Sequence, residues 1–323
     1  MSVGFGVVGL GMGKARARLV KQTSGAELVA VCDINQERLQ KVCDEFGCRG
    51  YHEYDEMLKD KNIDVVYIMT PSGTHLDFAK KAARRGKHII TTKPMEITVS
   101  RCEKFIELCE KNNVALVVDF ELRYKRENRQ LKAAIENGEL GDILFAEARC
   151  KWYRTQEYYD KGGWRGTWKY DGGGSAANQG IHVIDQLVWM CGKVEVVSSI
   201  YGVYGHKIET EDCTVSIIKL KNGNPGCIVT TTNHHLGDEY GISLSCKNGS
   251  VSNFTGELKI KMGDGSQQLK TEVPELPGNA VEDMLGVLND NKKPFVSGYE
   301  GMKSIELLEQ IYKKGRKLYR AQQ

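Results

Sequence analysis

Two stretches of this 323-residue chain carry side chains suited to moving protons. In Thr91–Thr98, TTKPMEIT, Lys93 stands just past a short β-rich run, where the carboxyl end of a strand would present it. A lysine acts as a base near neutral pH only if desolvation or nearby positive charge lowers its pKa. By residue type alone, an exposed loop lysine is the plainer reading of Lys93. In Asp171–Asp185, DGGGSAANQGIHVID, three glycines lead into a helical pattern. Asn178 and His182 lie four residues apart on it, with Asp185 three further on. That spacing puts Asn178 and His182 on one face of a helix, as either a polar patch in a core or half of an active site. The amide of Asn178 can orient a hydroxyl but cannot take a proton, so acid–base work would fall on Lys93 and His182.

A second kind of chemistry is written at the amino-terminal end. Gly9, Gly11 and Gly13 form GLGMGK directly after a first strand and open a helix. Glycines there let backbone N–H groups approach a pyrophosphate at the helix N-terminus. The fingerprint is imperfect, because Lys14 stands where a third small residue is wanted. Asp33 ends the second strand about twenty residues on, the place of a carboxylate that binds a ribose diol and repels a 2′-phosphate. NAD is therefore preferred over NADP. Asp33 would also serve as N-cap of the helix NQERLQKVCDEF. TPSGTH (Thr70–His75) and the Lys93 segment follow two further strands, at the edge where doubly wound sheets bind ligands.

The elements that must position these residues fall into two groups. The runs VGFGVVGL, AELVAVCD, DVVYIMTP, KHIITTKP and VALVVDF alternate with helical stretches, which predicts a doubly wound parallel α/β sheet over residues 1–121. Residues 122–323 predict an α+β domain with a large, mainly antiparallel sheet, its strands separated by turn signals such as Asn222-Gly223, Asn248-Gly249 and Asp264-Gly265. Two closing helices, near 278–290 and 298–319, are expected to pack back on the body.

Composition excludes several classes. Hydrophobic content of 41% and charged content of 27% are those of an ordinary globular chain, and the net charge of +3 is too small and scattered for a nucleic-acid footprint. The basic run YKKGRKLYR is read as the last turn of a C-terminal helix, complementing its dipole. Ten cysteines without a C-x-x-C pair suggest reduced thiols and a cytoplasmic setting. A zinc site from His234, His235 and distant cysteines has little support in the spacing, so no metal is expected. The apolar N-terminus lacks a basic leader and a bilayer-length run, so neither secretion nor membrane insertion is expected.

GLGMG with Asp33, TPSGTH, TKP, ELRY, GGWRG, GGG and NQGIHVID, in this order and spacing, resemble the Gfo/Idh/MocA family of NAD(P)-dependent sugar oxidoreductases. The resemblance runs through to VSGYEGMKSIELLEQIY and covers essentially the whole chain. It implies an N-terminal Rossmann domain and a C-terminal domain whose open sheet builds homodimers or homotetramers. It implies catalysis by Lys93, in place of the lysine of E-K-P, and by His182 of the family's D-x-x-x-H helix. The hinge would bring His182 opposite Lys93. Thr92 and Asn178 depart from that pattern, replacing a glutamate and an aspartate. The implied cofactor set is Gly9, Gly11, Met12, Gly13, Asp33, Thr70, Pro71, His75, Lys93, Pro94, Trp164 and Arg165. His75 is read as shaping the cofactor loop.

Arg123 falls near nicotinamide or substrate in this family, or else forms an ion pair at a domain boundary; Asp185 contacts substrate or anchors its helix. The segment 151–170 holds seven aromatics, among them Tyr153, Tyr159 and Trp164, which would line a sugar or cover a seam. The substrate implied is a sugar, cyclitol, glycoside or nucleotide-sugar bearing a secondary hydroxyl. Two other functions stay open: a catalytically silent NAD-binding sensor or partner protein, permitted by Thr92 and Asn178, and a reductase of a non-sugar carbonyl or imine.

Overall fold

A computed structural model describes residues 2–254 and 256–318. The first third alternates β1 (Val3–Val8), α1 (Leu10–Gln22), β2 (Ala26–Cys32), α2 (Gln36–Phe46), β3 (Arg49–Tyr51), α3 (Tyr54–Met57), β4 (Val65–Ile68), α4 (His75–Ala83), β5 (His88–Thr92), α5 (Val99–Lys111) and β6 (Leu116–Asp119). The six strands are all parallel, in the order β3-β2-β1-β4-β5-β6. Every residue of β1, β4 and β6 is buried, which is why they read as continuous apolar runs and not as alternating ones. Helix α1 buries Leu10, Gly13, Ala17 and Val20, one stripe at helical spacing. A Cβ on Gly13 would lie 3.1 Å from the Cβ of Met69, so a small residue lets α1 approach the sheet. Lys14 is 43% exposed and pairs with Glu45, away from that contact, so position 14 need not be small.

The rest of the chain forms α6 (Glu121–Tyr124), α7 (Arg126–Glu136), β7 (Ile143–Lys151), α8 (Gln156–Asp160), α9 (Ile181–Cys191), β8 (Val194–Gly202), β9 (Cys213–Leu220), β10 (Pro225–Thr231), β11 (Glu239–Cys246), β12 (Gly249–Ser252), β13 (Lys259–Met262), α10 (Ala280–Asp290), α11 (Gly298–Lys313) and β14 (Gly315–Leu318). Its eight-stranded sheet runs β13-β12-β11-β7-β10-β9-β8-β14. Only β7/β10 and β8/β14 are parallel among the described strands; the other neighbours are antiparallel. In β9, Thr214, Ser216, Ile218 and Leu220 are buried and alternate with exposed Val215, Ile217 and Lys219. Helix α9 packs on the covered face against β7 and β11, with eight of its eleven residues buried.

By compactness the chain forms two units. One comprises the chain to Glu96, Ser100–Glu121 and Leu276–Met302; the other comprises Ile97–Val99, Leu122–Glu275 and the chain from Lys303. In the first, α10 packs against β5 and β6, and the Asp283 carboxylate accepts the N–H groups of Phe295 and Val296. Val296 O in turn accepts the N–H of Val118, extending the β6 edge.

The expected helix over 298–319 is corrected at its end. It stops at Lys313, and Gly315–Leu318 turns into an edge strand parallel to β8. A Cβ on Gly315 would lie 2.4 Å from Ile311 O, so a glycine is needed where the helix gives way. The basic run therefore decorates a sheet edge, with Lys314 bonded to Glu195 and Val196 O. Tyr319 and Arg320 lie outside the described residues. Among the described residues no helix is long and apolar enough to cross a membrane.

Candidate active site

In the first unit, the strand order reverses between β1 and β4, so the loops leaving these strands flank the crevice where such sheets bind ligands. Gly9 has φ +88°, and a Cβ there would lie 2.7 Å from Met69 O; only glycine fits both the angle and the space. Asp33, 7% exposed, accepts the N–H of Leu10 at 2.7 Å and of Asn35 at 2.7 Å. Its carboxylate thus pins the glycine turn to the end of β2. The helix cap expected of Asp33 is instead supplied by Asn35, whose side chain accepts the N–H of Arg38. Arg38 escaped the sequence reading. Its Nε lies 3.3 Å from Asp33 Oδ2, and its Nη1 would lie 3.4 Å from a Cβ on Gly11. Met12 and Ile34 flank this turn with 72% and 83% of their surface exposed.

Lys93 follows β5, half-buried, with a cis bond to Pro94. Thr70 and Pro71 leave β4, also half-buried. His75 is fully buried, with Nε2 2.8 Å from Thr70 O and Nδ1 3.2 Å from Met95 O, a position from which it can shape the loop after β4. It ties the loop after β4 to the loop that carries Lys93. Burial lowers its pKa and favours the neutral ring. Glu96, buried next to these residues, caps α4 through Leu76 N and is gripped by Arg101 at 2.8 and 2.9 Å.

In the second unit, Asn178 and His182 do not sit on one unbroken α-helix. Ser175–Gln179 is a π-helical turn closed by a 2.7 Å bond from Gly180 N to Ser175 O, and α9 starts at Ile181. The wider turn takes more residues per turn than an α-helix, so the 3.6-residue spacing rule does not hold across it. Asn178 donates from Nδ2 to Asp171 Oδ1 at 2.8 Å, and Asp171 Oδ2 accepts Gly166 N at 2.9 Å. Asp171, buried, thereby joins the GGWRG loop to the turn.

Glu211 holds the other side of this turn. Its carboxylate accepts Gly174 N at 2.7 Å, Ala176 N at 2.8 Å and the Tyr312 hydroxyl at 3.1 Å. Its backbone carbonyl accepts Ser175 N, and a Cβ on Gly174 would lie only 1.7 Å from that oxygen. This is why the glycine run must end in glycine. Complete burial pushes the Glu211 carboxyl up to about 7, against the opposing pull of the backbone N–H groups. Glu211 belongs to no readable motif, and Asp171 opens the glycine stretch without a role being read for it; their partners lie 5–7 and 35–37 residues away for the bonds to Gly166, Asn178, Ala176 and Gly174.

The residues expected to meet substrate have different surroundings in the second unit. Arg123 and Asp185 bond to each other at 2.9 and 2.8 Å, each side chain 1% exposed, so the ion pair and the helix anchor prevail. Tyr159 is 4% exposed and its hydroxyl lies 2.8 Å from Thr232 Oγ1. Tyr153 is 42% exposed and stacks on His235 at 3.9 Å. Trp164 is half-buried beneath the Arg165 guanidinium. Among the described residues, no three His, Cys, Asp or Glu side chains converge as a metal site.

Residues 3–120 match the profile described as an oxidoreductase family with an NAD-binding Rossmann fold, and residues 128–252 that of the GFO/IDH/MocA C-terminal domain. An inositol 2-dehydrogenase of Salmonella typhimurium is 34% identical over 154 residues, 46% of each chain, so that match spans about half of either protein. A myo-inositol 2-dehydrogenase of Thermotoga maritima is 25% identical over 323 aligned positions, covering 94% of this chain and 93% of that one. The crystal structure of the WlbA dehydrogenase from Bordetella pertussis, in complex with NADH and UDP-GlcNAcA, superposes with a TM-score of 0.86. It is 29% identical, over 97% of this chain and 96% of that one.

Proposed function

Since the chain belongs to the Gfo/Idh/MocA oxidoreductase family, with an NAD-binding Rossmann domain first, we propose that it is an NAD-dependent dehydrogenase. Its substrate is a secondary hydroxyl of a sugar, cyclitol, glycoside or nucleotide-sugar; the reverse reaction reduces the ketone. The observation that carries this reading is the placing of Lys93 at the carboxyl end of β5, in the same sheet as the Gly9 turn and Asp33. Relatives that oxidise inositol, and a dehydrogenase crystallised with a nucleotide-sugar, support the substrate class.

The residues present fit NAD. Without side chains at 9, 11 and 13 the turn would let backbone N–H groups approach a pyrophosphate, and Asp33 stands beside it with a charge that disfavours a 2′-phosphate. Bound NAD supplies the acceptor for the hydride. Lys93 removes the proton of the substrate hydroxyl and His182 serves as the second proton-transfer group. Asn178, steadied by Asp171, orients the hydroxyl, and Glu211 holds the turn that carries it. Trp164 and Arg165 belong to the proposed binding surface. The exposed apolar face of the larger sheet is proposed to pair copies of this chain, and the cysteine usage favours a cytoplasmic setting.

The test is to denature the purified protein and identify by mass spectrometry any nucleotide it releases, then to supply polyols, nucleotide-sugars and dicarbonyls and follow product mass. NAD or NADH with an oxidised sugar is expected. A chain that binds neither NAD nor NADP overturns the reading, and reduction confined to dicarbonyls replaces its substrate.

A further inference from the structure

An ion pair in the first unit lies outside the residues expected to touch cofactor or substrate. Glu96 is fully buried, three residues past Lys93. Its Oε1 accepts Leu76 N at 2.8 Å, in the first turn of α4. The Arg101 guanidinium bonds both carboxylate oxygens, Nε to Oε2 at 2.8 Å and Nη2 to Oε1 at 2.9 Å, and Nη2 also donates to Gly73 O at 3.0 Å. The pair therefore joins the loop after β5, which carries Glu96, to the loop after β4, which ends in Gly73 and α4, and fastens both to α5. His75 closes the same assembly, its ring set between Thr70 O of one loop and Met95 O of the other.

Stability alone does not account for a charge at position 96. A buried ion pair gains little over well-packed apolar side chains of similar volume, so the carboxylate is explained by what it holds in place. It holds backbone at the carboxyl edge of the sheet. Thr92 is still in the ladder, paired with Asp119, and Pro94, Met95 and Glu96 are buried, so half-buried Lys93 stands between two fixed points. The loop after β4 is fixed likewise, through Thr70 O and Gly73 O. A dinucleotide lies across the crevice where strand order reverses, one mononucleotide half on each side. Asp33 at the end of β2 marks the adenosine side in the binding mode proposed above, so the loops after β4 and β5 fall to the nicotinamide side.

We propose that Glu96 and Arg101 are positioning residues that lock the loops after β4 and β5 into one pre-formed platform for the nicotinamide half of the cofactor. Each acts through the backbone of Thr70–Gly73 and of Lys93–Met95, not by touching the nucleotide. Such support has leverage, because a misplacement of about 1 Å at a reacting group costs on the order of a hundredfold in rate. This rests on the dehydrogenase reading above.

The full-length protein is titrated calorimetrically with NADH and with ADP-ribose, which lacks the nicotinamide ring. Glu96→Ala and Arg101→Ala should each lower NADH affinity about tenfold and leave ADP-ribose affinity within about twofold, and Arg101→Lys should recover part of the loss. Equal loss for both nucleotides means that the pair merely holds the fold, and no loss for either means that it holds nothing the ligand feels. Each of these overturns the proposal and leaves the dehydrogenase reading standing. Hydrogen exchange on the natural chain needs no variant, so one that fails to fold does not remove the test. Amides of Thr70–Leu76 and Lys93–Glu96 should already be protected without nucleotide, about tenfold or more beyond an exposed loop, and gain little when NADH is added. Fast exchange in both loops that slows only with NADH overturns the proposal, since the ligand and not the ion pair would then order them. A natural chain that binds neither NADH nor ADP-ribose overturns the dehydrogenase reading, and the proposal with it.

Discussion

Arg123 clasps Asp185 through two parallel bonds, Nε to Oδ2 at 2.9 Å and Nη2 to Oδ1 at 2.8 Å, across 62 residues of sequence. The guanidinium also lies 5.5 Å from the Trp189 ring centroid, so the pair ties α6 to α9 in the interior of the second unit. Removing one partner deprives a buried charge of a bidentate counter-ion. Asp185→Ala should lower the unfolding free energy in urea by about 3–5 kcal/mol, whereas an apolar replacement of both residues should cost much less. A loss under about 1 kcal/mol would show that the clasp is not closed in solution.

Lys93→Ala should reduce turnover at saturating NAD by about a hundredfold or more, measured by single-turnover kinetics. A drop of less than about tenfold would move the proton-transfer role elsewhere. His182→Ala, measured alongside, tells which of the two groups leads.

Asp33 and Arg38 should set cofactor choice together. Asp33→Ser removes the charge that repels a 2′-phosphate and releases Arg38 from its 3.3 Å pairing. The NADP-to-NAD affinity ratio should rise by about tenfold or more, since one charge-assisted bond is worth about 1.5–3 kcal/mol. Adding Arg38→Gln should cancel the gain. An unchanged ratio in Asp33→Ser would assign discrimination to another residue.

Glu211 links stability to pH in a direction that its burial fixes. Its carboxyl is pushed up from 4.5 to about 7 in the folded chain, first by desolvation, with Tyr312, Ser175, Thr230 and the neighbouring Asp171 and Asp212 around it. A raised folded pKa means that its stabilising contribution is complete below about pH 4.5 and is lost as pH rises through about 7. Glu211→Gln carries no such titration. Its melting temperature should therefore gain on that of the natural chain between about pH 5 and pH 8, by on the order of a few kcal/mol of stability. A constant difference across that range would mean an ordinary carboxyl.

The larger sheet exposes Val197 at 57%, Ile217 at 55%, Ile200 at 42% and Val215 at 39% on neighbouring strands β8 and β9. Large exposed apolar patches commonly mark interaction sites, so the pairing proposed above would use this face. Val197→Glu with Ile217→Lys should reduce the mass seen by light scattering to that of one chain without lowering NAD affinity. A natural chain that already scatters as a monomer would refute the pairing.

What the sequence determined by itself is local. The parallel sheet is legible because strands buried on both faces must be apolar throughout, and the nucleotide turn because Gly9 and Asp33 answer to one βαβ unit. The loops bearing Thr70 and Lys93 follow directly, since they leave strands whose direction is already set. β3 stayed hidden because three half-exposed edge residues carry no pattern, and β14 because a basic tail reads equally well as helix.

What only tertiary structure decided depends on partners distant in the chain. Arg123 reads equally as a ligand contact or an ion pair until its partner Asp185 is seen. His75 reads as shaping the cofactor loop, but which two backbone carbonyls it holds is set by Thr70 and Met95. The turn under Asn178 is π-helical, and Glu211 and Asp171 hold its N-terminal end and its side chain. The periodicity of five residues cannot tell that turn from an α-helical one. The physical reason is common to all three. A polar side chain's role is set by what neutralises it once water is gone, and burial brings those partners from tens of residues away.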